Sequence, residues 1–355
     1  MKVSVLTSIP WLDPSSSQTR AYREAIEQVR FAEELGYDCF WFTEHHFGTH
    51  GINSSILSWA AYVAGITTRI RIGTAVVVAP LYQPVRLAEE IAQVDLLSEG
   101  RLELGIGSGY RFDEFRGLNI RPEDSRPMFM EVLEILFKAW TGEPFSHKGK
   151  YYSVPEGIAV RPTPLQKPHP PLWFPALSPK TIEWVVTMGS RLMTATTGAL
   201  SINDLVRMRE TFNRLLDQAE QNSNDAELYI HVPIHVTEKS FARIEAALGG
   251  PCRRFGEAAT SGGTIYQPAS AGPQGPLSPG EGFSFEDYFE THAIMGTPQF
   301  CVDKIADWWQ RLQFTHLTCM FNFGLPHALV MEQMESFARS VIPSIRDLDT
   351  PYHVK

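Results

Sequence analysis

Three places in this chain of 355 residues gather side chains that can do chemistry. The first is Thr43-Glu44-His45-His46-Phe47, with three ionisable residues in a row. A histidine there can act as a general acid or base, or stabilise an anion. The bland alternative is a solvated surface turn. Adjacent histidines on an extended chain point to opposite sides, which argues against both gripping one metal ion. The second place is Leu104-Gly105-Ile106-Gly107-Ser108-Gly109-Tyr110-Arg111, followed by Asp113 and Glu114. Alternating glycines let a backbone approach a flat ring or a phosphate, and they serve an ordinary bend equally well. The third is Ser178-Pro179-Lys180-Thr181. Serine before proline is a helix N-cap signature, and the free N–H groups of such a start also bind anions. Arg126, placed at the start of an upstream helix, would add a bidentate cation for a phosphate.

Each of these runs sits at the end of a strand. Apolar and β-branched composition predicts eight strands, over 3–7, 37–43, 70–79, 101–106, 172–176, 191–195, 228–236 and 316–322. Helical spacing predicts helices over 20–35, 54–66, 85–97, 126–140, 179–188, 203–221 and 328–342, with another beginning over 239–248. The repeating βα order means a parallel sheet, and eight units in one chain favour a closed (β/α)8 TIM-type barrel with insertions. An open doubly wound sheet would carry a glycine-rich turn after strand one, where this chain has Ser8-Ile9-Pro10-Trp11. Catalytic groups in such a barrel project from the C-terminal strand ends, which puts the three runs on one face. The whole chain, 1–355, reads as one domain.

Two stretches break the alternation. Residues 141–171 carry Pro144, Pro155, Pro162, Pro164, Pro168, Pro170 and Pro171, so they read as a decorated loop with a small hairpin near 151–154. Residues 249–282 are rich in Gly, Pro, Ala and Ser and are expected to form no core element. They are either an insertion without a role or a mobile lid over the catalytic face.

Composition narrows the function classes. The net charge of −9 repels polyanions, so nucleic acid is not an expected partner. Cys39, Cys252, Cys301 and Cys319 form no CxxC pair and read as buried thiols of a cytoplasmic protein. The opening residues MKVSVLTSIPWLD read as a first strand rather than a signal peptide, and no run of about 18 apolar residues suits a membrane span.

The strand-end residues resemble the bacterial luciferase-like flavin monooxygenases. Glu44-His45-His46-Phe47 matches that family's EHHF segment, and Gly73-Thr74-Ala75 with Pro84-Val85-Arg86 through Glu90 resembles its GTA…PVRxAE pattern. Leu97-Ser98-Glu99-Gly100-Arg101 matches its LSxGR turn, and Ser125-Arg126 and Met295-Gly296-Thr297-Pro298 also fit. The resemblance runs in order along the chain. It implies a (β/α)8 barrel that takes reduced FMN from a separate flavin reductase, adds O2 to form a C4a-(hydro)peroxyflavin, and oxygenates a small organic substrate. It implies His45 as the catalytic histidine, Ala75 and Val76 beneath the flavin ring with a non-proline cis peptide between them, and Glu114 at an acidic position bearing on reduced-flavin binding. It implies Arg126, Leu177, Ser178 and Thr181 around the phosphate, and Gly107 and Ser108 at the cofactor.

This chain departs from luciferase itself. Gly107 stands for a reactive cysteine, Ser108 for a phosphate-contacting arginine and Leu177 for a glutamate, while Thr196 stands near a tryptophan position. Light emission and long-chain aldehyde therefore do not follow. The alternatives are a deazaflavin (F420)-dependent reductase, which would want a basic groove for the cofactor tail, and a non-catalytic flavin-binding protein. A homodimer is expected to form through the helices after strands two and three, because the first of them carries Trp59, Tyr62 and Val63.

Overall fold

The computed structural model describes residues 1–176, 178–189, 191–196, 200–220, 226–260, 284–346 and 348. The first half of the chain alternates without interruption: β1 (Lys2–Thr7), α1 (Gln18–Glu34), β2 (Cys39–Phe42), α2 (Ile56–Ile66), β3 (Arg71–Val78), α3 (Pro84–Leu97) and β4 (Leu102–Gly107). A short α4 (Phe112–Gly117) and a long α5 (Pro122–Trp140) follow. An antiparallel hairpin, β5 (Phe145–Lys148) and β6 (Ser153–Ile158), precedes β7 (Leu172–Pro175), α6 (Pro179–Thr187), β8 (Arg191–Ala195), α7 (Ile202–Gln218) and β9 (Leu228–Val236). The remaining elements are α8 (Phe241–Thr260), α9 (Phe285–Thr291), β10 (Ile294–Gly296), α10 (Pro298–Leu312), β11 (His316–Met320), α11 (His327–Ser340) and α12 (Ile342–Arg346).

Strands β1, β2, β3, β4, β7, β8, β9 and β11 pair in parallel in that order, and β11 returns to β1. This is a closed eight-stranded barrel ringed by helices, as the alternation predicted. The period of two along each strand sorts the side chains. Phe40, Phe42, Ile230 and Val232 join the large core shared with the helices, while the intervening Cys39, Trp41 and Tyr229 join Leu6, Trp173 and Met193 in a separate inner cluster. Trp41 meets Trp173 and Tyr229 edge to face, with centroids 5.8 and 5.0 Å apart, a favoured aromatic geometry.

That interior is full. A Cβ on Gly73 would stand 2.2 Å from the Trp41 ring, and one on Gly105 only 2.0 Å from the Thr74 carbonyl oxygen. The obstacle at Gly105 is backbone, which cannot rotate away. Gly105→Ala is therefore expected to cost about 3 kcal/mol, the upper end of overpacking penalties. Thermal unfolding checks this, and a Tm within about 1 °C of the parent contradicts it.

Three expectations need correction. Residues 249–260 are helical, because α8 runs straight through Gly249, Gly250 and Pro251. Ile244, Leu248 and Cys252 recur every four residues and are all buried, so one apolar face anchors the helix across the weak residues. The rest of the candidate lid, 261–282, lies outside the described residues. Second, α5 begins at Pro122, not Arg126: proline at the first helical position and Glu123 and Asp124 in the first turn open it one turn earlier. Third, α4, β10 and α10 were not read from the sequence. The hairpin is present, and Glu131 fixes its turn by accepting hydrogen bonds from the N–H groups of Lys150, Tyr151 and Tyr152.

Candidate functional site

The chain leaves β2 at Phe42 and crosses the barrel rim in a loop held by its own polar groups. Asn53 Nδ2 donates to the Thr43 carbonyl at 3.0 Å, and the His45 N–H donates to the Asn53 carbonyl at 3.0 Å. Ser8, just past β1, donates from Oγ to the His50 carbonyl at 2.5 Å. Gly51 lies so close that a Cβ there would stand 3.0 Å from the His45 ring. The imidazole of His45 is thus boxed in by neighbouring backbone.

The two adjacent histidines take different carboxylates. His45 Nδ1 lies 3.2 Å from Glu114 Oε1 on α4, and His46 Nε2 lies 3.1 Å from Glu44 Oε1. Glu44 is buried and also accepts from the Val78 N–H and the Tyr82 hydroxyl, each at 3.0 Å, which ties the end of β2 to the end of β3. Glu114 accepts in addition from the His46 N–H at 3.0 Å. Behind this pair, the His50 ring lies 4.3 Å from that of His45. Arg111 approaches His50 Nε2 at 3.5 Å and Glu114 at 3.6 Å while forking onto Asp113 at 2.9 and 3.1 Å.

Burial dominates the electrostatics. It pushes the pKa of His45 down to about 3, helped by the Arg111 and His46 charges. Burial likewise takes His50 down to about 2 and lifts Glu114 to about 7. Burial also opposes protonation of His46, but its bond to Glu44 more than offsets this and leaves the pKa above the ordinary value. At neutral pH His45 is therefore an uncharged ring whose Nδ1 is committed to Glu114.

The wall beside this cluster comes from β3 and β4. The Ala75–Val76 peptide is cis, and the β3–β4 register slips between Thr74 and Val77. Gly107 closes against that irregularity, since a Cβ on it would stand 3.1 Å from Val76 and 3.0 Å from Pro175 at the end of β7. Ser108 follows at the rim, half-buried. A glycine here is what lets β4 close on Val76 and Pro175 at the irregular stretch of β3.

Past β7, Ser178 caps α6. Its Oγ accepts from the Thr181 N–H at 3.3 Å and lies 3.0 Å from the Thr181 hydroxyl. Positions 178, 181 and 184 share one helical face, and the Arg126 guanidinium sits 4.6 Å over the Trp184 ring. Burial lowers the Arg126 pKa, and no hydrogen bond or ion pair holds it among the described residues. A half-buried guanidinium on the helix that Ser178 caps, with no counter-ion among the described residues, suits a dianionic phosphate.

The residues predicted from sequence therefore fall into adjoining groups. His45 joins Glu114, and Ala75 and Val76 join Gly107. Arg126 joins the face of Ser178 and Thr181. Leu177 lies outside the described residues. Their strands β2, β3, β4 and β7 are consecutive around the barrel. Glu44, His50, Arg111 and Trp184 belong to the same site and were not singled out as site residues. Glu44 and Arg111 carried a signal, as charges within the strand-end runs; His50 and Trp184 carried none.

Comparison with known proteins identifies the family and the fold. The profile of luciferase-like monooxygenases matches residues 1–316. The oxygenase component of a flavin-dependent trigonelline monooxygenase from Acinetobacter baylyi is 32% identical over 193 residues, 53% of this chain and 52% of that protein, so the match spans about half of that relative. The alkanal monooxygenase alpha chain of Photorhabdus luminescens is 25% identical over 349 residues, 94% of each chain. Among solved structures, a monooxygenase from Streptomyces bottropensis superposes with a TM-score of 0.83 at 22% identity, covering 97% of this chain and 99% of that one.

Proposed function

The chain belongs to the luciferase-like monooxygenase family, and from that premise we propose that it is the oxygenase component of a two-component system. It takes reduced FMN from a separate flavin reductase and uses O2 to oxygenate a small organic substrate. The observation that carries the choice of FMN is the Arg126 guanidinium stacked on Trp184 of the helix that Ser178 caps, with no hydrogen bond or ion pair among the described residues, a fit for a phosphate-bearing flavin. Bound reduced flavin supplies the two electrons that activate O2, with one oxygen atom going to the substrate and the other to water.

The protein residues then have distinct work. Arg126, Ser178 and Thr181 hold the phosphate, with the Leu177 amide proposed beside them. The Ala75–Val76 backbone and Gly107 bear the ring, and Ser108 borders it. His45 is a poor proton reservoir because it resists protonation. Its use is a hydrogen bond from or to Nε2, with Glu114 setting which.

The sign of that control follows from Glu114. Below about pH 7 Glu114 keeps its proton and donates to His45 Nδ1, which places the ring proton on Nε2 as a donor. Above about pH 7 Glu114 ionises, Nδ1–H becomes the donor, and Nε2 becomes an acceptor. Turnover is expected to change across an inflection near pH 7, and Glu114→Gln is expected to remove it. An inflection that survives Glu114→Gln refutes the assignment.

A homodimer through α2 and α3 is part of the same proposal. Trp59 and Val63 are buried within the subunit, contrary to their use as interface residues, so the exposed apolar surface rests on Tyr62, Leu96 and Leu97. Sedimentation as a monomer at micromolar concentration overturns the dimer. A cytoplasmic location is proposed as well, and among the described residues no helix is long and apolar enough to cross a membrane.

The decisive experiment is aerobic turnover with reduced FMN, a flavin reductase and isotope-labelled O2 across candidate substrates. Label in the product supports the reading. Hydride transfer from reduced F420 without oxygen uptake replaces it with the reductase, and a tightly bound flavin that consumes no oxygen replaces it with a binding protein.

A further inference from the structure

Arg111 does more than the preceding account uses. It is almost fully buried, at 3% exposure, and its guanidinium reaches three elements at once. One edge forks onto Asp113 in α4, and the group also faces Glu114 of α4 and His50 of the β2 loop. Its Nη1 donates to the carbonyl of Ala259, in the last turn of α8. The backbone of Ala258 meets the His50 ring in the same place. A planar fork can serve a carboxylate and a carbonyl together, which an ammonium cannot.

We propose that Arg111 is a positioning residue that clamps the C-terminal turn of α8 onto the His45–His50–Glu114 cluster and so fixes those rings at the barrel mouth. This rests on the proposed role of His45 for its effect on turnover, but the clamp itself does not. The charged and titratable groups facing His45 are Arg111, His46, His50, Asp113 and Glu114, and Arg111 is the only permanent cation among these five.

The test compares Arg111→Gln and Arg111→Lys with the parent, without cofactor, by amide hydrogen exchange and by NMR titration of the His45 ring. In Arg111→Gln, exchange in residues 254–260 is expected to rise by about 10-fold or more, as a local opening. The His45 pKa is expected to move up by about half a unit or more as the nearby positive charge is lost. Arg111→Lys keeps the charge but not the fork, so it raises the exchange and leaves the titration near the parent's. If Arg111→Gln does not fold, Arg111→Lys alone decides through the exchange of that turn. With reduced FMN and substrate, kcat falls by about 10-fold in Arg111→Gln while KM for reduced FMN holds. Unchanged exchange in residues 254–260 overturns the clamp. If the exchange and titration respond but neither Arg111→Gln nor His45→Ala alters turnover, the clamp stands and the role of His45 in turnover fails; absence of oxygenation in the parent itself overturns the monooxygenase reading without touching the clamp.

Discussion

Replacing His45 with alanine is expected to lower turnover by about 100-fold or more while leaving the fold nearly intact. The residue is held at three points: its backbone N–H donates to the Asn53 carbonyl, Gly51 lies close to the Cδ2 edge of the ring, and Nδ1 meets Glu114. A protein orients one ring nitrogen so closely when the other is used. The physics narrows that use. With a pKa near 3, His45 cannot hold a proton as a cation at neutral pH, so its contribution is a directed hydrogen bond in a dry site. Losing one such preorganised partner typically costs about 100- to 1000-fold in rate. His46→Ala is the informative control. That ring faces Glu44, which binds Val78 and Tyr82 and serves to join two strand ends. Its loss is expected to lower Tm more than turnover. Steady-state rates of both variants under saturating reduced FMN make the comparison. Activity of His45→Ala within about twofold of the parent removes His45 from the mechanism.

What could be read in advance depended on the range of the interaction. β8 and β9 were placed to the residue, because an apolar run bounded by turns is a local pattern. The barrel followed from counting such runs. The Ser178 cap was legible for the same reason, as a serine, a proline and a threonine within four positions. The pairing of His45 with Glu114 joins residues 69 apart in sequence, and the contact of Arg111 with Ala259 joins residues 148 apart. No local pattern marks either. Glu114 followed the glycine run but was given its role only through family resemblance, and the cis Ala75–Val76 bond likewise, since an ordinary strand has the same composition there. Arg111 closes the glycine-rich run but was given no role by it. Its position after a glycine run says nothing of a helix that ends far along the chain. The α8 correction has the same origin in reverse: Gly249, Gly250 and Pro251 oppose helix locally, and the buried face of Ile244, Leu248 and Cys252 overrides them.

Arg126→Ala is expected to weaken FMN binding by about 10- to 150-fold and riboflavin binding by much less, since a charge-assisted bond to phosphate is worth roughly 1.5–3 kcal/mol and riboflavin has no phosphate. The geometry makes the distinction sharp. The guanidinium lies over Trp184 of α6, with the Phe129 ring of its own helix 5.5 Å away, so two aromatic faces hold it without neutralising it. Burial without a counter-ion disfavours its charge, and an incoming dianion relieves that cost. The departure at Ser108 raises the stakes: the family's other phosphate-contacting arginine is absent, which leaves Arg126 with the helix N-terminus and the Ser178 and Thr181 hydroxyls. Ser178→Ala should therefore also weaken FMN, but by less, because part of its effect is the loss of an N-cap worth about 1 kcal/mol to α6. Arg126→Lys should fall between, keeping the charge and losing the planar stack on Trp184. Fluorescence titration of the parent and these variants with both ligands measures the difference. Equal losses for FMN and riboflavin would mean that Arg126 supports the pocket wall and not the phosphate.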